Sequence, residues 1–84
     1  MDREEKMKEA QELLNWAIGH LNLSILCKVI DYKYESYKVQ FFTNENKLIM
    51  PVQVPDEWIK GSHPKENKIR DELELLLANL RSYQ

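Results

Sequence analysis

Three side chains in this sequence have the chemistry of a nucleophile, a general base or a metal ligand: His20, Cys27 and His63. A thiolate beside a histidine can attack a carbonyl carbon, and the same residue types bind zinc. Neither histidine has a nucleophile or an orienting acid at a sequence spacing typical of a catalytic site. The spacing of the three residues does not match a zinc-binding motif either. Leu26 and Val29 flank Cys27, which favours a packed, inert thiol. We therefore expect no catalytic residue and no metal site.

The acidic and glycine residues give no better chemical signature. Adjacent carboxylates occur at Glu4/Glu5, Asp56/Glu57 and Asp71/Glu72, but two neighbours on a helix do not converge on one substrate atom. Only two glycines are present, too few for a phosphate-binding loop. The sequence thus predicts a non-enzymatic protein that carries no cofactor.

Length and composition predict one small domain spanning residues 1–84. The net charge is −2 and 43% of the residues are hydrophobic, as in ordinary globular proteins. The single cysteine excludes a disulfide within the chain. The polar N-terminus is unlike a secretory signal, and no apolar stretch is long enough to span a bilayer. We therefore expect a cytoplasmic protein that does not associate with membranes.

Residues 2–23 have the apolar periodicity of an amphipathic helix. The stripe consists of Met7, Ala10, Leu14, Ala17, Ile18 and Leu21. Asp2 followed by Glu5 fits a capping box, and Gly19 weakens the last turn, so we expect the helix to end near His20.

Three strands are predicted next, at residues 25–34, 37–43 and 48–54, because β-branched and aromatic residues dominate there. Their short connections favour an antiparallel meander. Pro51 cannot donate a ladder hydrogen bond, which favours a four-residue turn closed by Thr43 and Leu48. Gln40 then faces Pro51 at a non-hydrogen-bonded pair, and the third strand becomes an edge that resists strand addition.

The rest of the chain predicts a helical turn that Gly61 ends, followed by a helix over residues 66–82. The apolar stripe of this helix consists of Ile69, Leu73, Leu76, Leu77, Leu80 and Tyr83. The fold class is therefore α+β, a two-layer αβββα arrangement with both long helices on one sheet face.

Strict alternation along the strands assigns the two sheet faces. One face becomes almost continuously apolar, the floor for both helices, and receives Ile30, Tyr32, Tyr34, Tyr37 and Leu48 among others. The second face receives a smaller apolar cluster of Ile25, Cys27, Val29, Phe42 and Ile49. Helix 1, a second subunit or water could lie over this cluster. We predict that it is an interaction surface, with off-stripe Trp16 as a further contact, for a protein partner or for a homodimer.

Nucleic-acid binding is the alternative function. Tyr32, Tyr34 and Tyr37 are interleaved with Lys33 and Lys38, but alternation points the two residue types to opposite faces. The element order is similar to that of double-stranded RNA-binding domains, and this resemblance implies RNA binding. That family begins its last helix with a lysine-rich segment after a glycine-rich approach. Here Lys65 and Lys68 alternate with acidic residues and the approach holds only Gly61 and Ser62, so RNA binding stays second to protein binding.

Overall fold

The computed structural model describes residues 2–59 and 68–80, which form two helices and one sheet. The order is α1 (Arg3–His20), β1 (Ile25–Lys33), β2 (Ser36–Thr43), β3 (Leu48–Pro55), a 3₁₀ turn (Asp56–Trp58) and α2 (Lys68–Leu80). The sheet is antiparallel with the strand order β1-β2-β3. The predicted α+β class is confirmed. Several residues of the predicted elements and sites lie outside the described part of the chain: Gly61, Ser62, His63, Lys65, Tyr83 and the side chains of Lys68, Ile69, Glu72 and Leu73.

Both ends of α1 are capped. The Asp2 carboxylate accepts a hydrogen bond from the Glu5 amide at 2.8 Å, which satisfies one free donor of the first turn. At the other end, the Leu23 amide donates to the Ile18 carbonyl at 3.1 Å, and Asn22 has a φ of 55°. This Schellman arrangement ends the helix. The helix ends at His20 as expected, but Asn22 stops it, and Gly19 lies within the last turn.

The β1–β2 connection is a two-residue turn formed by Tyr34 and Glu35, with φ values of 54° and 56°. Positive φ at both central residues is the mark of a type I′ turn, whose twist matches that of the flanking strands. Lys33 faces Ser36 across the turn. The predicted position of Tyr34 on the apolar sheet face is therefore wrong: the side chain is 89% exposed at the tip of the hairpin.

A β-bulge in β1 overturns the predicted assignment of its first half. Val29 pairs with Val39 and Asp31 pairs with Lys38, so Ile30 has no partner in the register. One extra residue inverts the alternation of side chains, because the period along a strand is two. Three residues that strict alternation assigned to the second face therefore lie on the face that packs against the helices: Ile25, Cys27 and Val29.

A second irregularity lies in the β2–β3 hairpin. The Thr43 amide donates to the Lys47 carbonyl at 2.8 Å, and the Asn46 amide donates to the Thr43 carbonyl at 2.9 Å. The predicted four-residue turn closed by Thr43 and Leu48 is therefore wrong. Leu48 pairs with Phe42, and the extra residue Ile49 restores the predicted Gln40–Pro51 pair.

The edge of β1 is covered by one side chain of α1. The Gln11 side-chain amide donates to the Cys27 carbonyl at 3.1 Å and accepts from the Val29 amide at 2.8 Å. Gln11 thereby occupies two of the backbone groups that an added strand would use.

The edge of β3 is protected by proline. Since the Cys27 carbonyl and Val29 amide point away from β2, the backbone of Lys28 points toward its partner Gln40. Gln40 and Pro51 are then a non-hydrogen-bonded pair. Backbone groups alternate along a strand, so Pro51 and Pro55 both face the open edge, where neither offers an N–H group. The predicted resistance of β3 to strand addition follows from this geometry.

The core lies between one face of the sheet and the two helices. Ala10, Leu14 and Ala17 of α1 are buried there. The same cluster contains buried residues of the sheet and of α2, namely Tyr37, Val39, Phe41, Val54, Leu77 and Leu80. Both helices therefore cover the same sheet face, and the opposite face, named here the outer face, carries none of these core side chains.

Candidate interaction surface

The outer face presents cross-strand rows of side chains set by the register. Leu26, Phe42 and Leu48 face one another across the three strands and are named here the apolar row. The next row holds Lys28, Gln40 and Pro51, and the one after it Asp31, Lys38 and Gln53. The outer face thus changes from apolar at the β2–β3 turn to polar and basic toward the β1–β2 turn.

The apolar row is open to solvent. Leu26 is 50% exposed and Leu48 is 52% exposed, while Phe42 on the central strand is half-buried between them. No residue in the described part of the chain covers the row. Directly opposed side chains on one face contact each other, so the three residues form one continuous apolar strip across the sheet.

The structure moves most of the predicted interaction residues away from this surface. Ile25 and Val29 are buried in the core, and Cys27 is half-buried beneath Gln11. Ile49, the extra residue of the β3 bulge, packs against the core cluster. Of the predicted cluster only Phe42 lies in the outer apolar row.

Trp16 is exposed as expected, but it belongs to α1, on the other layer of the fold. Its ring stacks on that of His20 at a centroid distance of 4.9 Å. Alternation along the strands does not identify Leu26 and Leu48 as surface residues, because the two bulges put them on the outer face. No local residue pattern marks either bulge.

The charges of the outer face are mostly positive. Lys28, Lys33 and Lys38 are exposed, and none of them forms an ion pair with another described residue. Asp31 is engaged by Arg3 of α1, at 2.7 Å between the guanidinium and the carboxylate. The solvent side of α1 is acidic instead, with exposed carboxylates at Glu4, Glu5, Glu9 and Glu12. The described rows of the outer face are therefore mainly basic, whereas α1 exposes more carboxylates than cations.

A buried polar cluster joins the 3₁₀ turn to the sheet and to α1. The Asp56 carboxylate is the one buried charged group among the described residues. It accepts a hydrogen bond from the Tyr37 hydroxyl at 2.9 Å, and the Tyr32 hydroxyl and Lys6 Nζ each lie 3.5 Å from its second oxygen. The rings of Tyr32 and Tyr37 lie 4.6 Å apart. This pairing meets the requirement that a buried carboxylate be hydrogen-bonded.

The environment of the cluster shifts two proton affinities. Burial raises the pKa of the Tyr37 hydroxyl, and the neighbouring Asp56 carboxylate raises it further. Desolvation lowers the pKa of Lys6, but the charge of Asp56 and the hydrogen bonds to Asp56 and Tyr32 outweigh it, so the net direction is upward. Both groups thus keep their protons at neutral pH, and the cluster fastens elements together without exchanging protons.

Cys27 and His20 are not arranged as a catalytic pair. Burial raises the pKa of the Cys27 thiol to about 11, although a hydrogen bond from Gln11 acts in the opposite direction. The thiol faces Gln11 and Asn15 of α1, at 3.4 and 3.7 Å, whereas the His20 ring stacks on Trp16. A protonated thiol is a weak nucleophile.

Within residues 2–59 and 68–80, no three histidine, cysteine, aspartate or glutamate side chains come close enough together to share a metal ion. Neither described helix has the length and apolar character needed to cross a bilayer. Comparison of the chain with protein-family models, with curated proteins and with solved structures found no match.

Proposed function

We propose that the chain is a non-enzymatic interaction module whose outer sheet face binds a segment of another protein carrying apolar and acidic side chains. One observation carries the proposal: the apolar row lies on a face that neither helix covers. A cytoplasmic location belongs to the same proposal, because Cys27 is a free thiol and disulfides are rare in that compartment.

The chemistry of the row supports protein binding. Two half-exposed leucines flank a phenylalanine on the central strand, and aliphatic side chains of this kind gain most by contact with other apolar side chains. Strand addition is disfavoured by Gln11 at one edge and by the prolines at the other. The face of the sheet is therefore the better surface for a partner.

The charges on the same face support an acidic partner. Lys28 lies in the row next to Phe42, and Lys38 lies one row further along. Because Arg3 already engages Asp31, the lysines remain as the charges that a partner meets. Complementary charge speeds association and orients the bound segment.

A second copy of the chain fits this surface less well. Two outer faces packed together offer these lysines no free acidic partner, because the one carboxylate in the described rows, that of Asp31, is engaged by Arg3.

The apolar row is small for any partner. Its exposed part is on the order of 200 Å², well below the roughly 800 Å² that each partner buries in a stable interface. We therefore expect the contact with the partner segment to be transient, with a dissociation constant in the micromolar range or weaker.

Nucleic-acid binding is the second candidate, and the three lysines of the outer face favour it. The described aromatic residues on this side are Phe42, in the cross-strand rows, and Tyr34, exposed at the tip of the β1–β2 turn. Single-stranded nucleic acids are bound by several stacking rings. Tyr32 and Tyr37 pack against the core and are not available for stacking.

The proposal is tested by selecting peptides from a randomised display library against the wild-type protein and measuring their binding by calorimetry. We expect the selected peptides to combine apolar and acidic residues. Leu26→Asp should weaken their binding at least tenfold, because it places a carboxylate within the apolar row. Leu75→Asp is the matched control, since Leu75 is 60% exposed on α2 and the same charge is introduced away from the outer face.

Three outcomes would overturn the proposal. The first is the absence of any enriched peptide, or equal binding of the peptides to the Leu26→Asp protein. The second is a dimer in sedimentation experiments at micromolar concentration that Leu26→Asp abolishes, which would make a second copy the occupant. The third is a gel shift with RNA or DNA at low salt, where electrostatic binding is strongest, together with no peptide binding.

A further inference from the structure

A shallow cavity of about 280 Å³ lies on the outer face beside the β1–β2 turn and is named here the turn-end cavity. Its lining consists of Asp31, Lys33, Tyr34, Ser36, Lys38 and Gln53. The cavity is separate from the apolar row but lies on the same side of the sheet, because Lys38 and Phe42 are four residues apart on β2.

The balance of charge around the cavity is positive. Lys33 and Lys38 contribute two ammonium groups that form no ion pair with another described residue. The single carboxylate, that of Asp31, is paired with the guanidinium of Arg3 at 2.7 Å, so one further cation stands opposite its charge. Two cations thus remain for a ligand.

Neutral groups of the lining are fixed in place. The Ser36 hydroxyl donates to the Gln53 side-chain carbonyl at 2.8 Å, which leaves the Gln53 amide N–H groups as donors. Lys33 Nζ lies over the ring of Tyr34, 5.1 Å from its centroid, and this contact restrains the lysine near the cavity. Fixed donors beside cations suit an oxyanion.

We infer that the turn-end cavity binds an anionic group, a carboxylate or a phosphoryl group, of the same protein segment that contacts the apolar row. This inference rests on the proposed function and adds a second contact to it. The lysines attract the anion and the neutral donors orient it, while the apolar row supplies the hydrophobic contact. The partner is therefore recognised by the distance between an apolar and an anionic side chain.

The register gives that distance. Phe42 and Lys38 are four residues apart on one strand, which at about 3.3 Å per residue is roughly 13 Å. An extended partner segment spans this with about four residues, and a helical one, at about 1.5 Å per residue, needs about nine. Peptides that bind the outer face should carry their apolar and anionic residues at one of these two spacings.

The anion contact is tested first with inorganic phosphate and then with acetate, each followed by amide chemical shifts of the wild-type protein. Both should move signals of residues 33–38 with millimolar affinity, and a larger effect of phosphate would identify a phosphoryl group as the better ligand. A Lys33→Gln, Lys38→Gln double variant should weaken the binding at least fivefold. Lys8→Gln is the control, because Lys8 is an exposed lysine of α1, on the opposite layer.

The failure of this inference differs from the failure of the proposed function. The inference is wrong if phosphate shifts spread over all exposed lysines alike, or if the double variant binds both phosphate and the selected peptides as tightly as the wild-type protein. If the selected peptides nevertheless bind the Leu26→Asp protein more weakly than the wild-type protein, the proposed function still holds. Conversely, local phosphate shifts with no peptide bound at all would overturn the proposed function. They would also remove the claim that the anion belongs to a protein segment, while the anion contact itself would stand.

Discussion

The hydrogen bond between Tyr37 and Asp56 should be the most important polar contact of the described fold. The Tyr37→Phe substitution removes the hydroxyl group and keeps the ring, which is 1% exposed in the core. The Asp56 oxygen that accepts its bond at 2.9 Å is then left without that donor in a buried position. The free energy of unfolding should fall because the desolvated carboxylate is no longer fully paired.

The magnitude follows from the charge on the acceptor. Hydrogen bonds to charged groups contribute about 1.5–3 kcal/mol, so we expect a loss of about 2 kcal/mol. For a domain of this size each kcal/mol lowers the melting temperature by about 4–8 °C, which predicts a fall of at least about 8 °C. Far-UV circular dichroism during thermal and urea unfolding measures both quantities.

Tyr32→Phe is the matched control. Its hydroxyl approaches the other oxygen of Asp56 at 3.5 Å, at the limit of a hydrogen bond, and Tyr32 is only half-buried. We expect a loss below about 0.5 kcal/mol, because the contact is long and solvent can replace it. Equal losses for the two variants, or a Tyr37→Phe protein as stable as the wild type, would refute the assignment of Asp56 as a carboxylate held chiefly by Tyr37.

The same contact predicts a pH dependence. The pKa of Tyr37 is raised in the folded state, so its stabilising effect is complete below the ordinary tyrosine pKa of about 10 and is lost as the pH rises above it. The stability difference between the wild-type and Tyr37→Phe proteins should therefore begin to shrink as the pH rises above about 10, and it should go on shrinking toward the raised folded-state pKa of Tyr37. The pKa values of Lys6 and Cys27 are also raised. They therefore lower the free energy of unfolding of both proteins equally as the pH rises.

Three further predictions concern single positions. Gly19→Ala should raise the free energy of unfolding by about 0.5–1 kcal/mol, since a Cβ there meets no atom within 4 Å and alanine favours the helix; a lower melting temperature would contradict this. Glu35→Gly should stabilise by a similar amount, because glycine adopts the positive φ of this turn position without strain, and an unchanged urea midpoint would count against the turn. At pH 8 Cys27 should react with iodoacetamide about a hundredfold more slowly than in urea, because its pKa of about 11 lies two units above the ordinary thiol; equal rates would show an accessible thiolate.

Much of the architecture can be predicted from local sequence patterns. The Asp2 cap and the apolar stripe of α1 indicate the first helix, and Pro51 indicates that β3 is an edge strand. These features depend on neighbours three or four residues away, or on the missing N–H group of one residue, so they can be recognised without knowing the tertiary contacts. The order of elements and the α+β class followed from them.

The candidate surface depended on two positions that local patterns do not reveal. The bulges at Ile30 and Ile49 each insert one residue into a strand, and one residue is enough to exchange the two faces of the sheet. Ile25 and Val29 moved into the core as a result, while Leu26 and Leu48 moved out. Whether a strand bulges is decided by what packs against it, and here the Gln11 side chain binds the backbone of β1 just before the first bulge.

The chemically active residues show the same distinction between local and tertiary information. Amino-acid types alone set which reactive groups the chain carries: one cysteine, two histidines and too few glycines for a phosphate loop. Only the tertiary structure could place Asp56 beneath Tyr37 and Lys6, nineteen and fifty residues away in the chain, and leave the apolar row uncovered. Residue type is a local property, whereas burial and the facing of side chains arise from contacts between distant elements.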